Sequence, residues 1–158
     1  MFKLDLPRYE RIWLIVGTGT LAVFLVLFGF MAFSMGLTLS DGHKTVTPEA
    51  LQTTAPFDQP GFVEIGPNEY KATMIAQVFS FVPGEAVIPV GSKVHFEVTS
   101  PDVVHGIGIP GTNVNMMVLP GHITEATYTF NRPGEYLILC NEYCGAGHHV
   151  MMGKLIVK

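Results

Sequence analysis

Charge is what this sequence has least of. Asp, Glu, Lys and Arg make up 14% of its 158 residues, and none occurs between Arg11 and Asp41. No run of basic residues is present, nor any interleaving of basic with aromatic residues, which excludes the electrostatic footprint of a nucleic-acid binder. No internal repeat is visible, and beyond residue 41 there is no helical periodicity, which excludes solenoids and helical bundles. Cysteine is equally scarce: there are two, both in one short stretch near the C-terminus. At most one internal disulfide is available, and any chemistry the sulfurs perform is local.

The gap in charge is filled by Leu, Val, Ile, Phe, Ala and Met with scattered glycines, from Ile12 to Ser40. Crossing a bilayer takes about 20 such residues, whereas the apolar core of a cleaved signal peptide is about 7–15 long. Ala32-Phe-Ser34 could pass for a cleavage site, but the length of the run predicts a retained transmembrane helix over 12–40. Lys3, Arg8 and Arg11 precede the run and Lys44 alone follows closely, so the bias of basic residues toward the inner side predicts a cytoplasmic segment 1–11 and an exported remainder. Tyr9 and Trp13 stand where interfacial aromatics anchor such a helix. The small residues Gly17, Thr18, Ala22 and Gly29 would let partner helices approach, or simply face lipid.

The exported part carries six basic against eleven acidic residues, a net charge of −5. That is either an ordinary solvated surface or a field that steers a basic partner. Residues 41–64, rich in Thr, Pro, Gln and Asp, read as a linker. From 65 to 158, short apolar or alternating runs predict strands at Tyr70–Val78, Ala86–Val90, Lys93–Thr99, Val104–Ile109, Thr124–Phe130, Glu135–Leu139 and Gly153–Val157. Val90-Gly-Ser-Lys93, Pro110-Gly-Thr112, Pro120-Gly121 and Arg132-Pro-Gly-Glu135 punctuate them as turns. The fold class expected is all-β, a sandwich or barrel of about 100 residues.

The most informative stretch is Cys140-Asn-Glu-Tyr-Cys144-Gly-Ala-Gly-His148-His149-Val-Met151. Thiolates, imidazole and thioether so close together are soft-metal ligands, with copper the leading candidate. Cys144, His148 and Met151 supply three donors of a mononuclear blue-copper centre, and His105, from an earlier strand, supplies the second imidazole. Cys140 is then left over. Two cysteines can instead bridge two copper ions, with His105 and His148 as end ligands and Met151 and the Glu142 carbonyl at weak outer positions. Spreading one electron over such a core reduces the structural change on reduction, and with every position filled by protein no site is open for substrate. A structural zinc ion held by Cys140, Cys144, His105 and His148 also fits by count, leaving Met151 idle. A Cys140–Cys144 disulfide is a further possibility. His43, His95 and His122 read as surface or satisfied groups, Met116, Met117 and Met152 as packing, and His149 competes with His148.

These residues resemble the copper-A domain of subunit II of haem-copper cytochrome c oxidases. The likeness rests on Ser100-Pro-Asp-Val-Val-His105-Gly and on the two-cysteine loop, and it covers roughly 65–158. It implies a cupredoxin-like Greek-key β-barrel and two copper ions on His105, Cys140, the Glu142 carbonyl, Cys144, His148 and Met151, choosing His148 over His149 and Met151 over Met152. It implies electron input from cytochrome c and delivery to haem in subunit I, where oxygen is reduced and protons are pumped, with no oxygen-reducing site in this chain. A magnesium ion near Glu142 at the subunit interface would follow from the larger branch of the family. The single span resembles the smaller B-type branch, in bacterial or archaeal cell membranes, where a small single-helix subunit supplies a second helix. Gln77 stands where an aromatic is common in the run used for docking the donor, while Phe79 and Phe81 remain. A nitric oxide reductase subunit with the same copper pair, or a membrane-anchored copper carrier, would share these residues.

Overall fold

The computed structural model describes residues 7–34 and 44–158, in two units, one helical and one β. Helix α1 spans Arg8–Ser34. It starts within the charged stretch rather than at Ile12, because the Arg11 N–H already donates to the Pro7 carbonyl. A proline costs nothing at a helix start, where its missing N–H would lack a helical partner anyway. The 27 residues of α1 reach about 40 Å against a hydrocarbon thickness of about 30 Å. No residue of α1 is buried, and the helix is long and apolar enough to cross a membrane. The expected end of the span at 35–40, together with Lys3 and His43, lies outside the described residues.

The described residues of the second unit form ten strands: β1 (Gly61–Gly66), β2 (Glu69–Gln77), β3 (Ser80–Val82), β4 (Glu85–Ile88), β5 (Ser92–Thr99), β6 (His105–Gly108), β7 (Asn115–Val118), β8 (Thr124–Phe130), β9 (Gly134–Leu139) and β10 (Met152–Val157). One sheet runs β1-β2-β5-β8 with β3 also on β2, and the other runs β4-β10-β9-β6-β7. β2 with β5 and β4 with β10 are parallel; such pairs need crossovers rather than hairpins, so the chain passes repeatedly between sheets. Alternation explains the packing. Val94, Phe96 and Val98 of β5 are buried while Lys93, His95 and Glu97 face outward, as a period of two requires. These inward residues and Met74 meet Ile107, Ile138 and Leu155 of the other sheet in a single core.

Each expected strand is present. Three more, β1, β3 and β7, were not expected, for identifiable reasons. β1 is an edge strand with Val63, Glu64 and Ile65 all exposed, so its pattern does not alternate. β3 has three residues, too few to show a period. β7 is Asn-Met-Met-Val, without the β-branched enrichment that marks strands.

The stretch read as a linker is packed from Val46 onward. Val46 N–H donates to Gly121 and Ile123 N–H to Lys44, Pro48–Thr53 forms a 3-10 turn, and Leu51 and Phe57 join Val46 and Ile75 in a second small core. Burying each such side chain stabilises by about 1.5–3 kcal/mol. This segment is therefore part of the domain and steadies the turn ahead of β8.

Candidate metal centre

His105 opens β6 after a loop organised by Asp102. The Asp102 carboxylate receives three N–H groups: Val103 at 2.6 Å, His105 Nε2 at 2.8 Å and Val78 at 2.7 Å. The Ser100 hydroxyl accepts the Asp102 N–H at 3.2 Å and lies 2.7 Å from the Val103 carbonyl. Burial pushes the Asp102 carboxyl up, but the hydrogen bonds from Val78, His105, Val103 and Ser100 outweigh it and hold the group below the ordinary carboxylate value. An ionised Asp102 places the proton of His105 on Nε2, leaving the Nδ1 lone pair free. Nδ1 points at the Cys140 sulfur, 3.9 Å away, and the whole imidazole is buried.

The other donors come from the loop between β9 and β10. Its neck is closed by the Leu139–Met152 pair and by Cys140 N–H donating to the Met151 carbonyl at 3.2 Å. Gly145 has φ of +129°, a conformation that side chains disfavour, and it turns the chain into the short 3-10 turn His148–Val150. The result is a sequence of contacts. Cys140 Sγ lies 3.3 Å from the Glu142 carbonyl oxygen and 3.8 Å from Cys144 Sγ. Cys144 Sγ lies 3.7 Å from His148 Nδ1 and 3.7 Å from Met151 Sδ. His105, Cys140 and Cys144 offer ligand atoms that all lie within 4.8 Å of one another, a group that does not include His148.

The donors fit copper. The cysteines are free, and their 3.8 Å separation is far beyond a disulfide bond of about 2.05 Å. Two metal–thiolate bonds of about 2.3 Å easily span it. Burial, reinforced by the neighbouring Cys140 sulfur, pushes the Cys144 thiol up to about 11; adjacent thiolates in a buried place call for a cation between them. Thiolate, imidazole and thioether together are a soft donor set compatible with copper.

The alternatives left open by spacing separate here. His149 and Met152 are exposed, while His148 is half-buried beside Cys144 and Met151 is 2% exposed. Met116 is core and Met117 exposed; His122 is exposed, and His95 faces outward from β5. Phe81 is not a surface aromatic: it is 3% exposed and belongs to the core, so of the pair only Phe79, at 39%, reaches solvent.

Two contributors escaped sequence reasoning. One is Asp102, whose only signal was a carboxylate three residues before a histidine. The other is Asn141, whose side chain lies over β6. A Cβ on Gly106 would collide with Asn141 Oδ1, and Asn141 Nδ2 donates to Asn115 Oδ1 at 2.9 Å. β6 and β9 pair at Gly108 and Leu139, so the chain leaving β9 continues alongside β6, and a glycine at 106 is what lets it lie close.

Known proteins resemble this chain in sequence and in fold. Residues 71–157 match the family described as cytochrome c oxidase subunit II, periplasmic domain. A cytochrome c oxidase subunit 2 of Thermus thermophilus is 38% identical over 154 residues, 95% of this chain and 92% of that one. Another from Thermus thermophilus is 44% identical over 117 residues, 73% of this chain and 87% of its own length. Among solved structures, a chain of a haem-copper terminal oxidase dimer superposes with a TM-score of 0.80 at 35% identity, over 96% of this chain and all 100% of that one. The periplasmic domain of a Bradyrhizobium japonicum cytochrome oxidase subunit II, at 20% identity and a TM-score of 0.52 over 56% of this chain and 83% of that one, shares the cupredoxin-like fold. One apolar helix and a periplasmic domain fit a single-pass membrane protein. With the family matched over more than half the chain and a relative aligned along nearly all of it, this chain belongs to the cytochrome c oxidase subunit II family.

Proposed function

We propose that this chain is the electron-input subunit of a cytochrome c oxidase, holding a binuclear copper-A centre on His105, Cys140, the Glu142 carbonyl, Cys144, His148 and Met151. The observation that carries the reading is the linear order of donors. Two buried thiols lie side by side, His105 Nδ1 and the Glu142 carbonyl flank Cys140, and His148 Nδ1 and Met151 Sδ flank Cys144. Four donors converging on one point would suit a single tetrahedral ion; imidazoles on opposite flanks of a thiol pair suit two.

Copper bound there supplies a one-electron couple. The protein's part is to keep that couple in one geometry. Asp102 fixes the tautomer and plane of His105, the hydrogen-bonded neck fixes Cys140 against Met151, and burial of both cysteines limits the access of water to the sulfurs. A geometry that barely changes between oxidation states needs little reorganisation, which favours fast transfer. Cytochrome c is the donor, and the haem-bearing subunit I, which reduces oxygen and pumps protons, is the acceptor. Glu142 has an exposed side chain, leaving its carboxylate free for a magnesium ion at that subunit interface. A small single-helix subunit beside α1 completes the assembly. Basic residues before α1 place its N-terminus in the cytoplasm and the β-domain outside.

The test is electron paramagnetic resonance of the full chain, purified in detergent and loaded with copper. The expected spectrum is the hyperfine pattern of one electron shared by two copper nuclei, lost in Cys140→Ser. The pattern of a single copper nucleus in the unmodified chain would overturn the binuclear reading.

A further inference from the structure

The exposed Val78–Phe79 turn between β2 and β3 touches both halves of the site. Its backbone reaches the first: Val78 N–H donates to Asp102 Oδ2 at 2.7 Å, and Asp102 Oδ1 holds His105. Its side chain reaches the second. A Cβ placed on Gly147 would stand 2.5 Å from the Phe79 ring, and one on Gly145 would stand 3.1 Å from it. The ring thus occupies the volume that a side chain at either glycine would need. Those glycines frame the turn that presents His148, whose N–H donates to the Gly145 carbonyl at 3.1 Å.

His148 has little else behind it. Its Nδ1 faces Cys144, and among the described residues no carboxylate or carbonyl meets its other nitrogen. The Tyr143 ring lies 5.8 Å away at a tilt and is itself 79% exposed. Metal-binding imidazoles usually need a second group to hold their orientation. For His105 that group is a carboxylate. For His148 it has to come from packing on the backbone that carries it, and Phe79 is the side chain in that place.

We propose that Phe79 is a positioning residue for His148: its ring, seated on Gly145 and Gly147, fixes the loop backbone and so sets the direction of the imidazole. This inference rests on the copper reading above. It makes the glycines a steric requirement of the ring, and it gives Phe79 a structural duty separate from any role in docking a donor protein.

The experiment uses the full chain in detergent, loaded with copper, as unmodified protein, Phe79→Ala, Phe79→Leu, Gly147→Ala and the double variant Gly147→Ala/Phe79→Ala. The readouts are the copper hyperfine pattern and the rate of copper loss to a chelator, with thermal unfolding of the metal-free chains as a check on folding. Phe79→Ala and Gly147→Ala should each alter the hyperfine pattern and speed copper loss about tenfold or more. Phe79→Leu should have a smaller effect. The double variant should lose copper more slowly than the product of the two single effects, because alanine at 79 removes the ring carbons Cγ and Cδ2 that the new methyl would meet; such coupling is what contact between the two positions predicts. If Phe79→Ala is impaired in folding, Phe79→Leu and Gly147→Ala still decide, since an unmodified spectrum and rate in both would overturn the proposal. A Phe79→Ala chain with the unmodified spectrum and rate, or a double variant whose effect is the plain product of the single ones, would overturn the proposal while leaving the copper centre standing. An unmodified chain that takes up no copper would overturn both.

Discussion

Asp102 Oδ1 and His105 Nε2 lie 2.8 Å apart; Glu69 Oε1 and His95 Nε2, on the outer face of the first sheet, lie 2.7 Å apart. As pairs the two are alike, yet they differ in what stands behind the imidazole and in access to water. His105 is fully buried and turns its Nδ1 toward a cysteine sulfur. His95 is a third exposed at its side chain, and its Nδ1 meets the Thr127 hydroxyl at 3.0 Å. Lys93 also reaches Glu69, at 3.5 Å. A carboxylate and a histidine in contact therefore do not make a site. Water can replace either partner of the outer pair, so the contact adds little to stability. At the other pair water reaches the Asp102 carboxylate but not the fully buried His105 ring, and there the contact controls tautomer and orientation together.

That contrast can be pressed experimentally. His105→Ala is expected to have the largest effect: loss of the shared-electron copper spectrum, and about 2–4 kcal/mol lost from the metal-free chain in urea melts, since it empties a buried volume. Asp102→Asn comes next. It keeps the shape but offers an amide where three N–H donors converge, so copper affinity in chelator competition should fall about 10–100-fold. If Asp102→Asn binds copper like the unmodified chain, the pair at His105 is no more consequential than the outer one.

The outer pair should give the smallest response, visible through pH. The hydrogen bond from His95, against a modest opposing effect of burial and with help from Lys93, holds Glu69 below its ordinary value of 4.5. A carboxyl lowered in the folded state contributes stability above its unfolded pKa and loses it as pH falls through the folded one. Glu69→Gln should therefore flatten the acid side of the stability profile, in urea melts from about pH 6 down to about pH 2.5. It should leave the copper spectrum at neutral pH unchanged. A shifted copper spectrum in Glu69→Gln would show that the two pairs are not independent.

Different parts of the molecule were legible to different degrees. α1 was plain because an uncharged run of that length has few other uses, though its start was set by a backbone bond at Pro7 that hydropathy does not see. Strands with inward alternation, such as β5, announce themselves; the edge strand β1 and the short β3 and β7 do not. The segment from Val46 to Phe57 looked like a spacer because its apolar residues are few, and only their convergence on Ile75 makes them a core. Phe81 and Phe79 are two residues apart and chemically identical, yet one faces the core and the other a pair of glycines.

The sequence by itself determined whatever covalent spacing could determine. Cys140, Cys144, His148 and Met151 are tied to one short loop, so their donors were bound to gather wherever that loop closed, and the apolar run before residue 41 was bound to seek a membrane or a core. The tertiary structure decided everything that depends on segments far apart in the chain. It set His105 against Cys140, placed Asp102 behind His105, laid Asn141 over Gly106 and brought Phe79 onto Gly145 and Gly147. Loop closure across the sandwich selects those partners by volume and hydrogen bonding, and neither quantity can be read from residue order alone.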